Sequence, residues 1–259
     1  MEKTFEKNSR SYSRVRPGYP AELYERIARF KKFDSSSRLL EIGAGHGVAT
    51  GEVYTRWNSK ILAIEPGQSL CEMGEKQFSE KGDVEFQCVP FEDFHSDIRF
   101  DGIYAATAFH WLDEEIKFRK SSELLKEKGL LFLFWNYYTI SDDKVFEDIQ
   151  QIYRDFHPKG AGKGDPRVFT REKINKRRDE MIQSEYFEQL DHWEYSYDLN
   201  YSADRYIQLL KTYPINNHPP EIMTPFYEKF HDYISERGDK LTITILVCSD
   251  IGEKVKTNL

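Results

Sequence analysis

Three glycines alternate with other residues directly after an apolar run near the start of the chain. The stretch is Leu39-Leu40-Glu41-Ile42-Gly43-Ala44-Gly45-His46-Gly47. Because glycine has no Cβ, such a loop turns sharply and lets a ligand approach the backbone closely. Glu41 ends the apolar run, and a buried carboxylate needs a partner because an unpaired buried charge is costly. The pattern indicates a ligand-binding turn, although a glycine-rich turn that binds nothing has the same residues.

A second acidic residue, Glu65, ends the next apolar run, 22 residues after Gly43. In doubly wound α/β folds, a carboxylate at the tip of the second strand accepts hydrogen bonds from the ribose hydroxyls of a nucleoside ligand. Pro66 follows and cannot continue a strand ladder, so Glu65 is expected at the end of its strand. The pair of features predicts a nucleoside ligand, with a solvated loop carboxylate as the alternative.

The spacing of the glycines argues against the nicotinamide-dependent oxidoreductases. A dinucleotide loop needs the pattern G-x-G-x-x-G, because its pyrophosphate sits on a helix N-terminus. The position of the last glycine is Val48 when counted from Gly43, and Thr50 when counted from Gly45. The loop therefore suits a nucleoside that carries something other than phosphate, such as S-adenosylmethionine (SAM).

An α/β sheet is expected to position these residues, because strand-like runs alternate with helix-length segments through the first half of the chain. Most of the runs are apolar enough to be buried on both faces, as in a parallel sheet. The predicted strands are Arg38–Ile42, Lys60–Ile64, Val84–Val89, Gly102–Ala106 and Leu130–Trp135. The predicted helices are Pro20–Phe33, Gly47–Trp57, Ser69–Lys81 and Asp113–Glu127.

Beyond the fifth strand the pattern becomes helical, with two further strands. The predicted helices are Asp142–Phe156, Arg171–Phe187, Ser202–Tyr213 and Pro225–Arg237, and the strands are Trp193–Leu199 and Leu241–Cys248. We expect a doubly wound, Rossmann-like α/β fold with a seven-stranded, mostly parallel sheet and a final antiparallel strand. A helical cap is expected over the carboxyl ends of the strands, where open α/β sheets bind ligands.

Composition restricts the classes of partner and compartment. The chain has 259 residues, a formal net charge of −7 and a pI of about 5.6, which argue against a general nucleic-acid binder. Its polar first residues lack the apolar core of a signal peptide, and the run Leu130–Trp135 is too short to span a bilayer.

The three cysteines, Cys71, Cys88 and Cys248, form no CxxC pair, which predicts reduced thiols rather than disulfides or a zinc site. We expect a cytoplasmic protein without a metal and without a membrane or nucleic-acid partner.

Taken in order, these motifs resemble the class I SAM-dependent methyltransferases, and most closely the branch of the trans-aconitate methyltransferases, over nearly the whole chain. The family's motifs are matched by Glu41–Gly47, Ile64–Pro66, Phe91–Asp93, Phe100–Trp111, Leu124–Leu130 and Phe134–Asn136. The branch's entry segment and late helix are matched by Tyr12, Arg16-Pro17, Tyr19-Pro20 and Ser202–Tyr213. Val89-Pro90 departs from the family, since many relatives carry Gly-Asp there.

The resemblance implies SAM as the cofactor and S-adenosylhomocysteine (SAH) as its product. Glu41 would support the glycine loop or meet the SAM ammonium group, and Glu65, beside Pro66, would hold the ribose. The other implied cofactor contacts are Gly43, Ala44, Gly45 and Gly47 at the methionine half, Phe91 and Glu92 at the adenine, and Thr107 and Phe109 near the methyl group.

The resemblance also implies a small-molecule methyl acceptor. His110 follows the fourth strand and could take a proton from an acceptor hydroxyl or amine, since the reference pKa of histidine is about 6.5. It could equally hold the turn by a hydrogen bond to a backbone carbonyl. Arg16 could grip a carboxylate acceptor bidentately. The other predicted acceptor residues, each open to an ordinary packing role, are Tyr12, Tyr19, Trp111, Trp135, Asn136 and Tyr213.

On this reading, residues 1–259 form one SAM-dependent methyltransferase domain. Its parts are an N-terminal lid (1–33), a cofactor-binding core (34–139), a helical cap insertion with one strand (140–238) and the last strand (239–259). The expected activity is methyl transfer to a small molecule, with a carboxylate acceptor suggested by Arg16. A SAM-binding sensor or catalytically inactive scaffold is the alternative function, and either a monomer or a homodimer fits.

Overall fold

A computed structural model describes residues 16–160 and 165–255, which leaves Tyr12 outside the described part of the chain. The chain divides into two compact units. The core unit comprises Gly18–Asn136, Ile174–Glu194 and Val247–Leu259. The helical unit comprises Met1–Pro17, Tyr137–Lys173 and Tyr195–Leu246. Each unit is described by itself below.

Seven strands form one mixed sheet in the order β3-β2-β1-β4-β5-β7-β6. Their bounds are β1 Arg38–Ile42, β2 Lys60–Ile64, β3 Val84–Gln87, β4 Phe100–Ala106, β5 Leu125–Thr139, β6 Phe187–Tyr201 and β7 Leu241–Lys254. Strand β1 pairs in parallel with β2 and β4, β2 with β3, and β4 with β5. The predicted seven-stranded, Rossmann-like α/β fold is confirmed.

Eight α-helices occur among the described residues. Their bounds are α1 Ala21–Phe30, α2 Val48–Trp57, α3 Gln68–Phe78, α4 Lys117–Leu124, α5 Asp143–Phe156, α6 Pro166–Gln183, α7 Ala203–Lys211 and α8 Pro220–Ser235. Short 3₁₀ turns cover Phe109–Trp111 and Pro214–Asn216. Within residues 16–160 and 165–255, every helix is too short or too polar to cross a membrane.

The largest differences from the predicted elements are at strand ends. Strand β5 has 15 residues instead of the six of Leu130–Trp135, and it takes over the end of the predicted helix Asp113–Glu127. The added residues near its start, such as Lys126 and Lys128, are exposed and polar, so they show no apolar pattern. Helix α6 begins at Pro166, five residues before the predicted Arg171, because proline suits the first turn of a helix.

The core unit is built on buried residues of β1, β4 and β5, where Leu39, Tyr104 and Phe132 are fully buried. The rings of Tyr104 and Phe132 stack with centroids 5.2 Å apart. Helix α1 packs Leu23 and Ile27 into the same cluster. Burying several large side chains at about 1.5–3 kcal/mol each gives this unit a rigid base for the loops that follow its strands.

The expectation of three reduced thiols is wrong for two of them, because Cys71 and Cys88 form a disulfide. Cys71 lies in the first turn of α3, and Cys88 comes directly after β3. The crossover from β2 through α3 to β3 brings the two residues together, with Cα atoms 5.6 Å apart. Spacing alone does not show such a contact, because the cysteines are 17 residues apart in sequence. Cys248 is buried and is not part of a disulfide, as predicted.

Candidate functional site

The residues predicted to bind the cofactor follow neighbouring strands of the core unit. Since β2, β1 and β4 are adjacent and parallel, their carboxyl ends meet at one edge of the sheet. Glu65 follows β2, Gly43 follows β1 and Thr107 follows β4. In the sheet, β2 lies on one side of β1 and β4 lies on the other, so the strand order reverses at β1. Open α/β sheets bind ligands in the crevice at such a point, outside the carboxyl ends of the strands.

The glycine loop has a backbone that only glycine adopts easily. Gly43, Gly45 and Gly47 have φ values of +68°, +59° and +96°, in the left-handed region that L residues rarely occupy. A Cβ on Gly47 would come within 2.5 Å of the Phe78 ring, whereas a Cβ on Gly45 would meet nothing within 4 Å. The loop is therefore packed at Gly47 and open at Gly45, where a ligand can approach the backbone.

Glu65 joins the tip of β2 to this loop. Its Oε2 accepts a hydrogen bond from the Gly45 backbone N–H at 2.8 Å, and its Oε1 accepts one from Gly67 at 2.9 Å. The residue is only 8% exposed, and this burial raises the pKa of its carboxyl. A carboxylate has about four lone-pair sites, so two remain for further donors. Glu65 can therefore accept two hydroxyl hydrogen bonds while it holds the loop.

Glu41 is held inside the core unit. It is 1% exposed, and its Oε2 accepts hydrogen bonds from the hydroxyls of Thr50 and Tyr104 at 2.5 and 2.8 Å. Its Oε1 has no hydrogen-bond partner among the described residues. Burial raises the pKa of Glu41 to about 8, so the carboxyl is largely protonated at neutral pH. These contacts favour the first predicted role, support of the glycine loop through α2 and β4.

A second polar cluster joins three predicted residues, Tyr19, Thr107 and Asn136. The Tyr19 hydroxyl lies 2.9 Å from Thr107 Oγ1, which also accepts a hydrogen bond from the Asn136 backbone N–H at 3.4 Å. The Asn136 side chain donates to the Gly18 carbonyl at 3.3 Å. Thr107 has a φ of +56°, which is strained for a β-branched residue. Strain of this kind is typical of functional sites.

His110 is oriented by Trp135. The indole Nε1–H of Trp135 donates to His110 Nδ1 at 3.3 Å, so Nδ1 carries no proton and the neutral ring has its hydrogen on Nε2. Trp135 is buried, and the Arg177 guanidinium lies 4.9 Å from the centre of its ring. A histidine whose Nδ1 lone pair is used in this way is better suited to orient an acceptor than to take its proton.

The part of the chain that contains these residues is similar to a known protein family. Residues 39–129 match the methyltransferase domain family. The match begins in β1 and ends in β5, so it includes the glycine loop, Glu65, Thr107 and His110.

Known proteins similar to this chain are also methyltransferases by name. A probable SAM-dependent methyltransferase of Saccharomyces cerevisiae, CRG1, is 34% identical over 143 residues, which cover 53% of this chain and 47% of the yeast protein. An uncharacterized methyltransferase of Schizosaccharomyces pombe, C25B8.09, is 26% identical over 148 residues, 55% of each chain. The chain thus spans about half the length of the curated relatives that it matches.

Two solved structures show the same fold at low sequence identity. A protein of Anaeromyxobacter dehalogenans, described as a candidate type II methyltransferase, has a TM-score of 0.64 at 15% identity, with 92% of this chain and 97% of that one covered. Phosphoethanolamine N-methyltransferase 2 of Haemonchus contortus, in complex with SAM, has a TM-score of 0.55 at 11% identity, with coverages of 97% and 57%. These likenesses concern the fold alone.

Other predicted site residues within the matched region have different surroundings. Phe91 is buried beneath the Lys120 amino group, which lies 5.2 Å from its ring centre and donates to the Glu92 carbonyl at 2.8 Å. Phe109 is buried and packs against another ring, with centroids 5.1 Å apart. Trp111 is 58% exposed. Pro66 and the Glu92 side chain are also exposed.

Arg16 and Tyr213 belong to the helical unit. The Arg16 Nε–H and Nη2–H point to Thr212 Oγ1 at 3.4 and 3.3 Å. Its guanidinium lies 5.2 Å from the ring centre of Tyr213 and 6.0 Å from that of Tyr138. The structure therefore brings these two predicted acceptor residues together, and it adds Thr212 and Tyr138, which the sequence did not indicate.

The sequence also missed three residues that hold the site together. Thr50 and Tyr104 are the partners of Glu41. Glu52 accepts hydrogen bonds from the Tyr19 backbone N–H and from the Tyr24 hydroxyl. One signal was available, since Thr50 is a polar residue on the buried face of α2.

The described residues contain one group that could supply three metal ligands, Cys71, Glu75 and Cys88. Both sulfur atoms of this group are joined in the disulfide, which leaves one carboxylate. A thiolate is the form that binds a metal, so no metal role is assigned to these residues.

Proposed function

We propose that this protein transfers a methyl group from SAM to a nucleophilic oxygen or nitrogen atom of a small-molecule acceptor. The cofactor is SAM and its product is SAH. One observation carries the proposal, the buried Glu65 carboxyl beside the open side of the glycine loop. Two lone-pair sites beyond its backbone contacts match the two ribose hydroxyls of a nucleoside.

The chain's own residues bind and orient the reactants. Glu65 accepts the ribose hydroxyls, and the Gly45 backbone lets the methionine half approach. When bound, SAM would supply an electrophilic methyl carbon on its sulfonium. The acceptor lone pair would form a bond to this carbon as the carbon–sulfur bond breaks and SAH leaves. We assign the acceptor side to the cluster of Tyr19, Thr107 and Asn136 and to His110. Holding reactants aligned about 3–3.5 Å apart supplies much of the rate in such a transfer.

The finer hypothesis of a carboxylate acceptor rests on Arg16. Thr212 and two tyrosine rings hold the guanidinium of Arg16 in one place. A guanidinium fixed in this way is organised in advance to bind a carboxylate. A carboxylate acceptor is ionised well below pH 7 and needs no general base, in keeping with an orienting role for His110.

Two measurements test the proposed function and separate it from its rivals. Isothermal titration calorimetry should show binding of SAM and SAH and no binding of NADH. A coupled assay of SAH release, run across small acids, amines and phenols, should then give turnover with at least one class. SAH binding without turnover across all three classes would favour a sensor or scaffold, and NADH binding without SAH binding would favour an oxidoreductase.

A further inference from the structure

The helical unit contains a cavity of about 260 Å³. Its walls are one face of α5, one face of α7, the end of β5 and the start of α6. An apolar cavity of about 150 Å³ holds one benzene molecule. By that scale, this cavity holds a compound of about ten non-hydrogen atoms.

The described cavity walls contain five aromatic and six aliphatic side chains, several of which are packed against neighbouring rings. Tyr153 of α5 and Tyr206 of α7 line the cavity, and both rest on Phe230 of α8, with ring centroids 5.8 and 5.5 Å apart. Phe226 packs against Tyr153 at 5.0 Å. Leu209 of α7 is fully buried in the lining. A cavity with such walls binds flat, apolar ligands without reorganising.

Two hydroxyls in the lining can donate a hydrogen bond to a ligand. Tyr206 is 7% exposed, and burial raises the pKa of its hydroxyl well above the ordinary value. Burial also raises the pKa of the Tyr153 hydroxyl. Both groups are therefore protonated donors at neutral pH. Within residues 16–160 and 165–255 neither hydroxyl hydrogen-bonds to another residue, and neither oxygen is a fully buried atom that lacks a partner. Both hydroxyls are therefore accessible, and a ligand oxygen in the cavity could accept a hydrogen bond from either.

The charge of the lining favours an uncharged ligand. Among the described lining residues, Arg167 is the one with a charged side chain. Its guanidinium donates to both carboxylate oxygens of Asp165, Oδ1 at 3.2 Å and Oδ2 at 2.9 Å, and to Asp143 Oδ1 at 2.7 Å. Two carboxylates thus compensate the single positive charge. Arg16 contacts the rings of Tyr138 and Tyr213 but is not itself among the lining residues. A carboxylate ligand buried in this cavity would therefore meet no uncompensated cation in the lining, and burying an unpaired charge is costly.

We propose that this cavity binds a small, uncharged ring compound that carries one hydroxyl or carbonyl oxygen. The ring occupies the space between α5 and α7, and its oxygen accepts a hydrogen bond from Tyr206. That such a compound is the methyl acceptor rests on the proposed function, whereas its binding does not.

The test uses three probes of similar size, which are 4-propylphenol, propylbenzene and 4-ethylbenzoate. Binding is measured by calorimetry on the full chain, without cofactor. We expect 4-propylphenol to bind most tightly. Tyr206→Phe should weaken it about two- to tenfold, the range for one neutral hydrogen bond, and should not change the affinity for propylbenzene. Thr170→Trp, which fills the cavity from the start of α6, should weaken both probes at least tenfold.

Tyr233→Phe is the matched control, because the Tyr233 hydroxyl donates to Asp148 and does not line the cavity. It should bind 4-propylphenol as the wild type does. Circular dichroism shows whether Thr170→Trp folds, and if it does not, the decision rests on Tyr206→Phe. Failure of 4-propylphenol to bind at millimolar concentration, an unchanged affinity in Tyr206→Phe, or tighter binding of 4-ethylbenzoate would overturn the proposal.

SAH titration of the same variants keeps the two proposals separate. Tyr206→Phe should bind SAH with the affinity of the wild type. If the wild type binds 4-propylphenol but not SAH, the proposed function is rejected and the cavity remains a ligand site. If it binds SAH but not 4-propylphenol, only the cavity site is rejected.

Discussion

The buried carboxyl of Glu41 makes the stability of the protein depend on pH in a defined direction. Its pKa is about 8 in the folded protein, against an ordinary value of 4.5. A folded-state pKa above the unfolded one stabilises the fold fully at low pH, and this stability is lost as pH rises through the folded pKa. The stabilisation by Glu41 is therefore lost progressively between about pH 4.5 and about pH 8.

The magnitude follows from the same values. One pKa unit corresponds to about 1.4 kcal/mol. Between about pH 6 and about pH 8 the wild type should therefore lose about 2 kcal/mol of unfolding free energy through Glu41 alone, since the carboxyl is half ionised at its folded pKa. Glu41→Gln is neutral at every pH, and its amide oxygen can accept from Thr50 and Tyr104 as Oε2 does. The variant should not show this loss.

Urea denaturation of the wild type and Glu41→Gln across this pH range measures the difference directly. Glu80→Gln, at an exposed position of the same unit, is the control that should follow the wild type at every pH. The difference in unfolding free energy between wild type and Glu41→Gln should grow as pH rises. A difference that stays constant from about pH 6 to about pH 8 would refute the reasoning.

Three further predictions concern the disulfide, His110 and Arg16. Reduction of Cys71–Cys88, which are 17 residues apart, should lower the unfolding free energy by about 3 kcal/mol in urea titrations, and the double Cys→Ala variant should be insensitive to dithiothreitol. His110→Ala should lower kcat and leave the pH profile between about 6 and 8 unchanged. A wild-type rate that rises near pH 6.5 and a variant without that rise would instead make His110 a base. Arg16→Ala should raise the KM of a carboxylate acceptor and leave SAH affinity unchanged by calorimetry; an unchanged KM would remove Arg16 from the acceptor site.

The candidate cofactor site of the core unit could be predicted in large part from local sequence. Strands β1 and β2 have the predicted bounds, because each is a short apolar run that stops at residues unsuited to a strand. Glu65 was placed by the same reasoning, since Pro66 ends the ladder. The structure adds that Glu65 also holds the loop through Gly45, a contact that depends on the packing of two neighbouring strands.

Features made by distant residues could not be predicted in this way. The partners of Glu41 come from a helix and a neighbouring strand, and Tyr104 is 63 residues away. The disulfide depends on how α3 crosses the sheet, and the cavity depends on how α5 and α7 pack in the helical unit. Strand β5 also continues past its apolar run into polar residues at both ends, where the sequence shows no strand periodicity.

The central claim is that Glu65 binds the ribose of SAM, and one titration tests it most directly. Calorimetry of SAH into the wild type and Glu65→Ala should show an affinity at least about tenfold lower for the variant. Two hydrogen bonds to a charged group contribute about 1.5–3 kcal/mol each, and about 1.4 kcal/mol is tenfold. Circular dichroism should show that the variant remains folded. SAH binding of equal affinity in the two proteins would contradict the account.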